Sequence, residues 1–179
     1  MDVNKDEIIE ISAVKFINGK YDSDFTTLIK PKKDIPKQIT EITGINNDMV
    51  ANSPTIDIVL DEFLSFINNN VIIAHNIAFD LAFIKRVVKE QNKELNINFT
   101  CDTLLLSRSF LFTLEKFNLE YLSIFFNLDI KNSHRAKADA TNTGKIFLKL
   151  IDQMLSIPLI VYEKINSIYA KNSDLYNKY

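Results

Sequence analysis

The chain is poor in cysteine, glycine and histidine, and each scarcity narrows what it can be. One cysteine among 179 residues, Cys101, excludes an internal disulfide framework and a cysteine-built zinc site, and fits a reducing cytoplasm. Three glycines accompany the absence of low-complexity stretches and internal repeats. No apolar run approaches the roughly 18 residues that a membrane span needs. The first residues, MDVNKDEIIEI, are acidic and alternating, without the basic-then-apolar order of a signal peptide. A formal net charge of -2 argues against wrapping duplex nucleic acid through bulk positive charge. It leaves room for a protein that needs only local acids and a short track for one strand.

What is present reads as one ordinary globular domain: 46% hydrophobic and 25% charged residues suffice for a core without suggesting disorder. Residues 7–17 and 24–29 are β-rich, with the hairpin signal Asn18-Gly19 between them. The basic, proline-punctuated loop KPKKDIP follows, then a short helical stretch and a turn at Thr43-Gly44. Asn52-Ser53-Pro54 opens a helix with Ile58, Val59, Phe63, Leu64, Phe66 and Ile67 at helical spacing. VIIAH at 71–75 reads as a short buried strand, 78–90 as a helix, and NINFTCDT as a strand ending near Asp102. Helices are expected over 102–112, 118–127 and 136–155. A hairpin followed by alternating strands and helices implies an α/β domain with a mixed sheet. The expected division is a domain over 1–150 and a helical extension over 151–179.

Three segments could carry chemistry. HNIAFD, His75 to Asp80, stands at a strand-to-helix junction, where α/β ligand sites usually lie. Asn76 is a candidate N-cap there, and Asp80 falls in the first helical turn. Its plain structural reading is an acid complementing the helix dipole, with His75 a hydrogen-bonded junction residue. In SHRAKADA, His134 precedes a helix and Asp139 lies one turn inside it. Ala136, Ala138 and Ala140 would let that helix approach the sheet. An imidazole can take a proton from water at neutral pH, and a carboxylate can hold a hard divalent cation. The alternative is a surface histidine and a solvated aspartate. In CDT, Asp102 reads as an N-cap, and Cys101 as a small apolar residue rather than a nucleophile.

Taken in order, DEIIEISAVKF, EITGINNDMV with Ser53-Pro54, AHNIAFDLAFI, CDTLLLSR and HRAKADATNTGKIF resemble the DnaQ-like (DEDD, histidine-variant) 3′→5′ exonuclease family. The resemblance runs from about Asp6 to Leu150. It implies a ribonuclease H-like mixed sheet flanked by helices, and phosphodiester hydrolysis at nucleic-acid 3′ ends with two divalent cations, Mg²⁺ or Mn²⁺. Asp80 and Asp139 would be metal ligands, His134 the general base, and His75, Asn76 and Phe79 substrate-binding residues. The implied partner is a single-stranded 3′ end, DNA by the family's habit. The tail IPLIVYEKINSIYAKNSDLY resembles the segment joining such a domain to a helicase in DinG-type fusions, so a helicase or polymerase partner or fused domain is expected.

One departure matters. The family motif Asp-x-Glu-Thr-Thr-Gly, on the strand before DEIIEI, does not occur in this sequence. The reading is therefore of an N-terminally truncated domain lacking its central first strand, between the 7–17 and 71–75 strands, and impaired in activity. Asp2, Asp6, Glu7 and Glu10 sit on the wrong element to replace the missing acids. The alternative is a catalytically inactive module that binds nucleic acid or a protein partner. Asp80, His134 and Asp139 are expected to converge on one concave site.

Overall fold

The computed structural model describes residues 2–131, 133–158, 160, 161 and 163. Most of the extension expected over 151–179 lies outside them. The chain opens with an antiparallel hairpin of β1 (Glu10–Ile17) and β2 (Lys20–Leu28). Asn18 and Gly19 both adopt positive φ, 51° and 75°, the paired left-handed geometry that suits a two-residue turn between twisted strands. The hairpin is longer than its apolar pattern suggested on one strand and shorter on the other. Residues 7–9 precede β1, and Glu7 instead accepts the backbone N–H groups of Lys32 and Lys33, both at 3.0 Å.

After the short helices α1 (Lys37–Thr43) and α2 (Asn47–Val50) come α3 (Ile56–Ile67), β3 (Val71–Ala74), α4 (Ile77–Glu90), β4 (Phe99–Asp102), α5 (Thr103–Phe110), α6 (Leu119–Phe125) and α7 (Ala136–Leu155). β3 and β4 pair in parallel, from Val71 opposite Phe99 to Ala74 opposite Asp102. Among the described residues no backbone ladder joins β1 to β3, so two small sheets stand side by side. The single mixed sheet expected from the sequence is thus divided in two. Helix α7 spans it, packing on both β1 and β3.

The pleat of β1 sorts its residues between two layers. Ile11 and Ala13 face a core with Val59, Leu60 and Phe63 of α3 and Ile84, Val87 and Val88 of α4. Glu10 and Phe16 face α7: Glu10 meets Ala136 at the helix start, and Phe16 lies against Gly144. Helix α7 comes close to the sheet at Gly144, where a Cβ would collide with the Phe16 ring. A second core of Leu111, Leu122, Ile146 and Leu150 joins α5, α6 and α7. In α3 the buried stripe is Val59, Leu60, Phe63 and Ile67, while Ile58 is 69% exposed. The expected stripe was right in period but placed Ile58 inward and omitted Leu60.

Candidate active site

Four acids bear on the starts of α4, α5 and α7, and the structure uses them in two ways. Asp102, the last residue of β4, caps its own helix by accepting from the Leu104 N–H at 2.8 Å. It also reaches across to α4, accepting from Asn76 at 3.0 Å and Ile77 at 3.3 Å. One carboxylate therefore satisfies orphan donors at two helix N-termini. The expected cap is confirmed and doubled. Asn76 occupies the N-cap position of α4 in left-handed conformation (φ 66°, ψ 55°) but makes no side-chain cap bond. Its sequence-based role as a side-chain cap is corrected: Asp102 accepts the first two N–H groups, and the Phe79 N–H that a cap side chain could take goes to the Asn76 carbonyl at 3.0 Å.

Glu10 plays the matching part for α7. Its side chain, only 7% exposed, accepts from Arg135 Nη2 at 2.7 Å and Nε at 3.2 Å, and from the Ala136 N–H at 2.7 Å. Sequence reasoning set Glu10 aside. Its only signal was its position on the strand face turned toward α7, which no local pattern reveals.

The other two acids are not spent on capping. Asp80, in the first turn of α4, is an exposed residue whose carboxyl is nonetheless crowded by protein. Burial raises its pKa from 3.8 to about 6, its own backbone N–H opposes the rise, and the Asp102 carboxylate adds to it. Asp139, in the first turn of α7, is half-buried and likewise raised by burial, with Glu10 adding a smaller push. His134 opposes that rise through its N–H, which donates to Asp139 Oδ1 at 3.3 Å, and through its charge. A first-turn position alone stabilises a carboxylate. Loss of hydration outweighs that help at both sites.

His134 is exposed and holds φ 69°, a left-handed conformation that L-residues seldom adopt. The structure thus brings His134 and Asp139 together and sets Asp80 beside Asp102. Among the described residues no three His, Cys, Asp or Glu side chains are close enough to hold a metal ion jointly. Clefts of about 220 Å³ (lined by Leu64, Asn68 and Leu95) and about 370 Å³ (lined by Asp24, Ile58 and Glu62) border neither acid.

Of the expected substrate-binding residues, Phe79 is 36% exposed beside Asp80, its ring edge-on to Phe83 at 5.2 Å. Asn76 is exposed at the mouth of the same junction. His75 is committed elsewhere. Its Nδ1 lies 3.0 Å from Thr103 Oγ1, whose own proton goes to the Ala74 carbonyl at 3.2 Å. Burial lowers its pKa, and the Phe117 backbone partly restores it. Cys101 is half-buried with its thiol pKa raised by burial, as suits a structural residue.

The layout is an α/β domain with two first-turn acids that cap no helix, Asp80 and Asp139, and a histidine, His134, beside the second. Comparison with known proteins narrows the class. A family model, RNase_T, described as an exonuclease, matches residues 1–147. The chain is 35% identical over 153 residues to the DNA polymerase III subunit epsilon of Aquifex aeolicus, covering 86% of this chain and 76% of that one. It is 39% identical over 163 residues to the PolC-type DNA polymerase III of Caldanaerobacter subterraneus, covering 91% of this chain but 12% of that much longer one. Among solved structures, exonuclease X in complex with 5′ overhanging duplex DNA superposes with TM-score 0.66 at 24% identity, over 80% of this chain and 82% of that one. The nuclease domain of 3′hExo, a DEDDh family member bound to rAMP, gives 0.69 at 15% identity, over 82% and 81%. The chain belongs to the RNase_T exonuclease family, with DNA polymerase III epsilon among its relatives, and its fold is ribonuclease H-like.

Proposed function

We propose that this chain is the exonuclease domain of a DNA polymerase III-type system, removing nucleotides from single-stranded DNA 3′ ends in the cytoplasm. The observation that carries the reading is the pair Asp80 and Asp139: two first-turn carboxyls that the protein dehydrates and does not use as caps. Carboxylates left in that state are relieved by a divalent cation, so the donor set suits Mg²⁺ or Mn²⁺. Two acids alone leave such ions short of anionic oxygens, and water and substrate phosphate would supply the rest. When bound, a pair of such ions would acidify the attacking water and stabilise charge on the attacking and leaving oxygens.

The chain's own residues supply the remainder. His134, exposed beside Asp139, accepts the proton of the attacking water. Phe79 offers a ring for stacking the terminal base, which is worth roughly 1–3 kcal/mol in single-strand binding. Asn76 offers an amide at the same junction. His75 acts from behind, holding the end of β3 to the start of α5. The polymerase relatives favour a polymerase as partner or fused neighbour over a helicase.

The absence of Asp-x-Glu-Thr-Thr-Gly favours a second reading, in which the 179 residues bind nucleic acid or a partner without cleaving. Release of nucleotides from a 5′-labelled single strand, with EDTA as control, separates the two. We expect weak turnover from these 179 residues and a large gain from a chain extended by a strand bearing that motif. In the extended chain His134→Ala should lower turnover by about 10²–10⁴-fold, and Asp139→Asn at least as much. Comparable activity without the motif would show it dispensable. An inactive but well-folded extended chain would favour the binding module.

A further inference from the structure

We infer that Glu10 is the positioning residue of this site: by gripping Arg135 and capping α7 from the neighbouring strand, it holds His134 in the conformation that sets it beside Asp139. The inference deepens the exonuclease reading, and rests on it for the role of His134.

The observations are geometric. His134 carries a left-handed backbone at φ 69°, which a non-glycine residue keeps only when its surroundings over-determine it. Two contacts do so. On one side the His134 N–H donates to Asp139 Oδ1. On the other, the next residue, Arg135, is fixed by three guanidinium bonds from Nε and Nη2 to Glu10, and the residue after it, Ala136, donates its N–H to the same carboxylate. Arg135 stands at the N-cap of α7 and makes no side-chain cap bond. Glu10 therefore supplies from β1 the acceptor that the local sequence lacks, with a negative charge at the positive end of a 20-residue helix. Arg135 is 38% exposed while Glu10 is almost sealed, so the pair grips from the sheet side and leaves the solvent side of the His134–Asp139 pair open. An arginine fork meets a carboxylate through paired bonds of fixed direction, which is what fixing a backbone requires. Lysine in its place would keep the charge and lose the direction.

The test is amide hydrogen exchange with NMR on the full 179-residue chain and its Glu10→Gln and Arg135→Lys variants, with Mn²⁺ broadening as a second readout. Protection at His134 and Ala136 should fall by about tenfold or more, as expected for losing charge-assisted bonds. Protection in α3 and α4 should stay unchanged, and broadening by Mn²⁺ at Asp139 should weaken. Unchanged exchange at His134 and Ala136 would overturn the inference. So would a uniform rise across the domain, which would mark Glu10 as a plain structural brace. If Glu10→Gln does not fold, Arg135→Lys reads the same amides. The exonuclease reading fails separately: if His134→Ala leaves nucleotide release intact while Glu10→Gln loosens only residues 133–139, the clamp stands and the base assignment falls.

Discussion

Replacing Asp80 by asparagine is expected to stabilise the fold near pH 7 and to blunt its response to divalent cations. Burial holds the Asp80 carboxyl at about 6, against 3.8 for an ordinary aspartate. The sign follows from linkage. Below 3.8 the group is neutral in both folded and unfolded chains and costs nothing. Between 3.8 and about 6 the unfolded chain ionises first, so stability falls as pH rises. Above about 6 both states are charged and the cost is constant. A lift of roughly two pH units would amount to about 3 kcal/mol for a sealed group. Asp80 is exposed, and solvent screening reduces the expectation to about 1 kcal/mol. For a domain of this size that is a rise of roughly 2–4 °C in Tm.

Asparagine keeps the size and removes the charge, so the gain should appear at pH 7 and vanish near pH 4. A cation beside Asp80 relieves the same cost. Thermal unfolding followed by circular dichroism should therefore show Mn²⁺ raising the Tm of the unaltered chain at pH 7, EDTA reversing it, and the variant responding less. An asparagine variant no more stable at pH 7, in a chain indifferent to Mn²⁺, would refute the claim that this acid is dehydrated and unspent.

Other substitutions probe the frame around the site. Gly144→Ala gains about 0.5–1 kcal/mol of helix propensity but meets the Phe16 ring, and overpacking of roughly 1–3 kcal/mol should leave it less stable by about 1 kcal/mol in urea. Adding Phe16→Leu should recover most of that loss. Asp102→Ala strips the acceptor from three backbone donors at two helix starts and should cost about 2–3 kcal/mol by denaturant unfolding. Asp102→Asn should cost less, and a neutral alanine variant would show that α4 and α5 do not share a cap. The His75 ring resonance should titrate below 6.5, since burial disfavours its charge. Its contribution to stability is then fully present above 6.5 and is lost as pH falls from there through the lower folded-state pKa.

Periodicity made most of the frame legible in the sequence. The hairpin turn could be read from Asn18-Gly19, because few other residue pairs tolerate two positive φ values. The 20 residues of α7 follow from an unbroken helical pattern, and they run from Ala136 to Leu155 as expected. Asp80, His134 and Asp139 could be singled out because they sit at strand-to-helix and loop-to-helix boundaries. What stayed hidden was every partnership across the fold. Glu10 and Arg135 are 125 residues apart, and Asn76 and Asp102 are 26 apart. A local pattern reports which face a residue takes, and it is silent on which helix end lies opposite. Asn76 therefore looked like a cap, and Glu10 like a surplus acid.

Burial is the main reason that Asp80 and Asp139 resist ionising at helix starts, where the dipole favours charge, and the long-range pairings add a smaller push. Each unspent acid has a spent acid close by: Asp102 pushes on Asp80, and Glu10 pushes on Asp139. The spent acids are held in place by the backbone donors they cap, so they cannot turn away from their neighbours. Capping therefore does two things at once. It fixes the ends of α4, α5 and α7, and it raises the electrostatic cost of leaving Asp80 and Asp139 as bare carboxylates. The acids that hold the helices thus add, after burial, to the cost of ionising the other two.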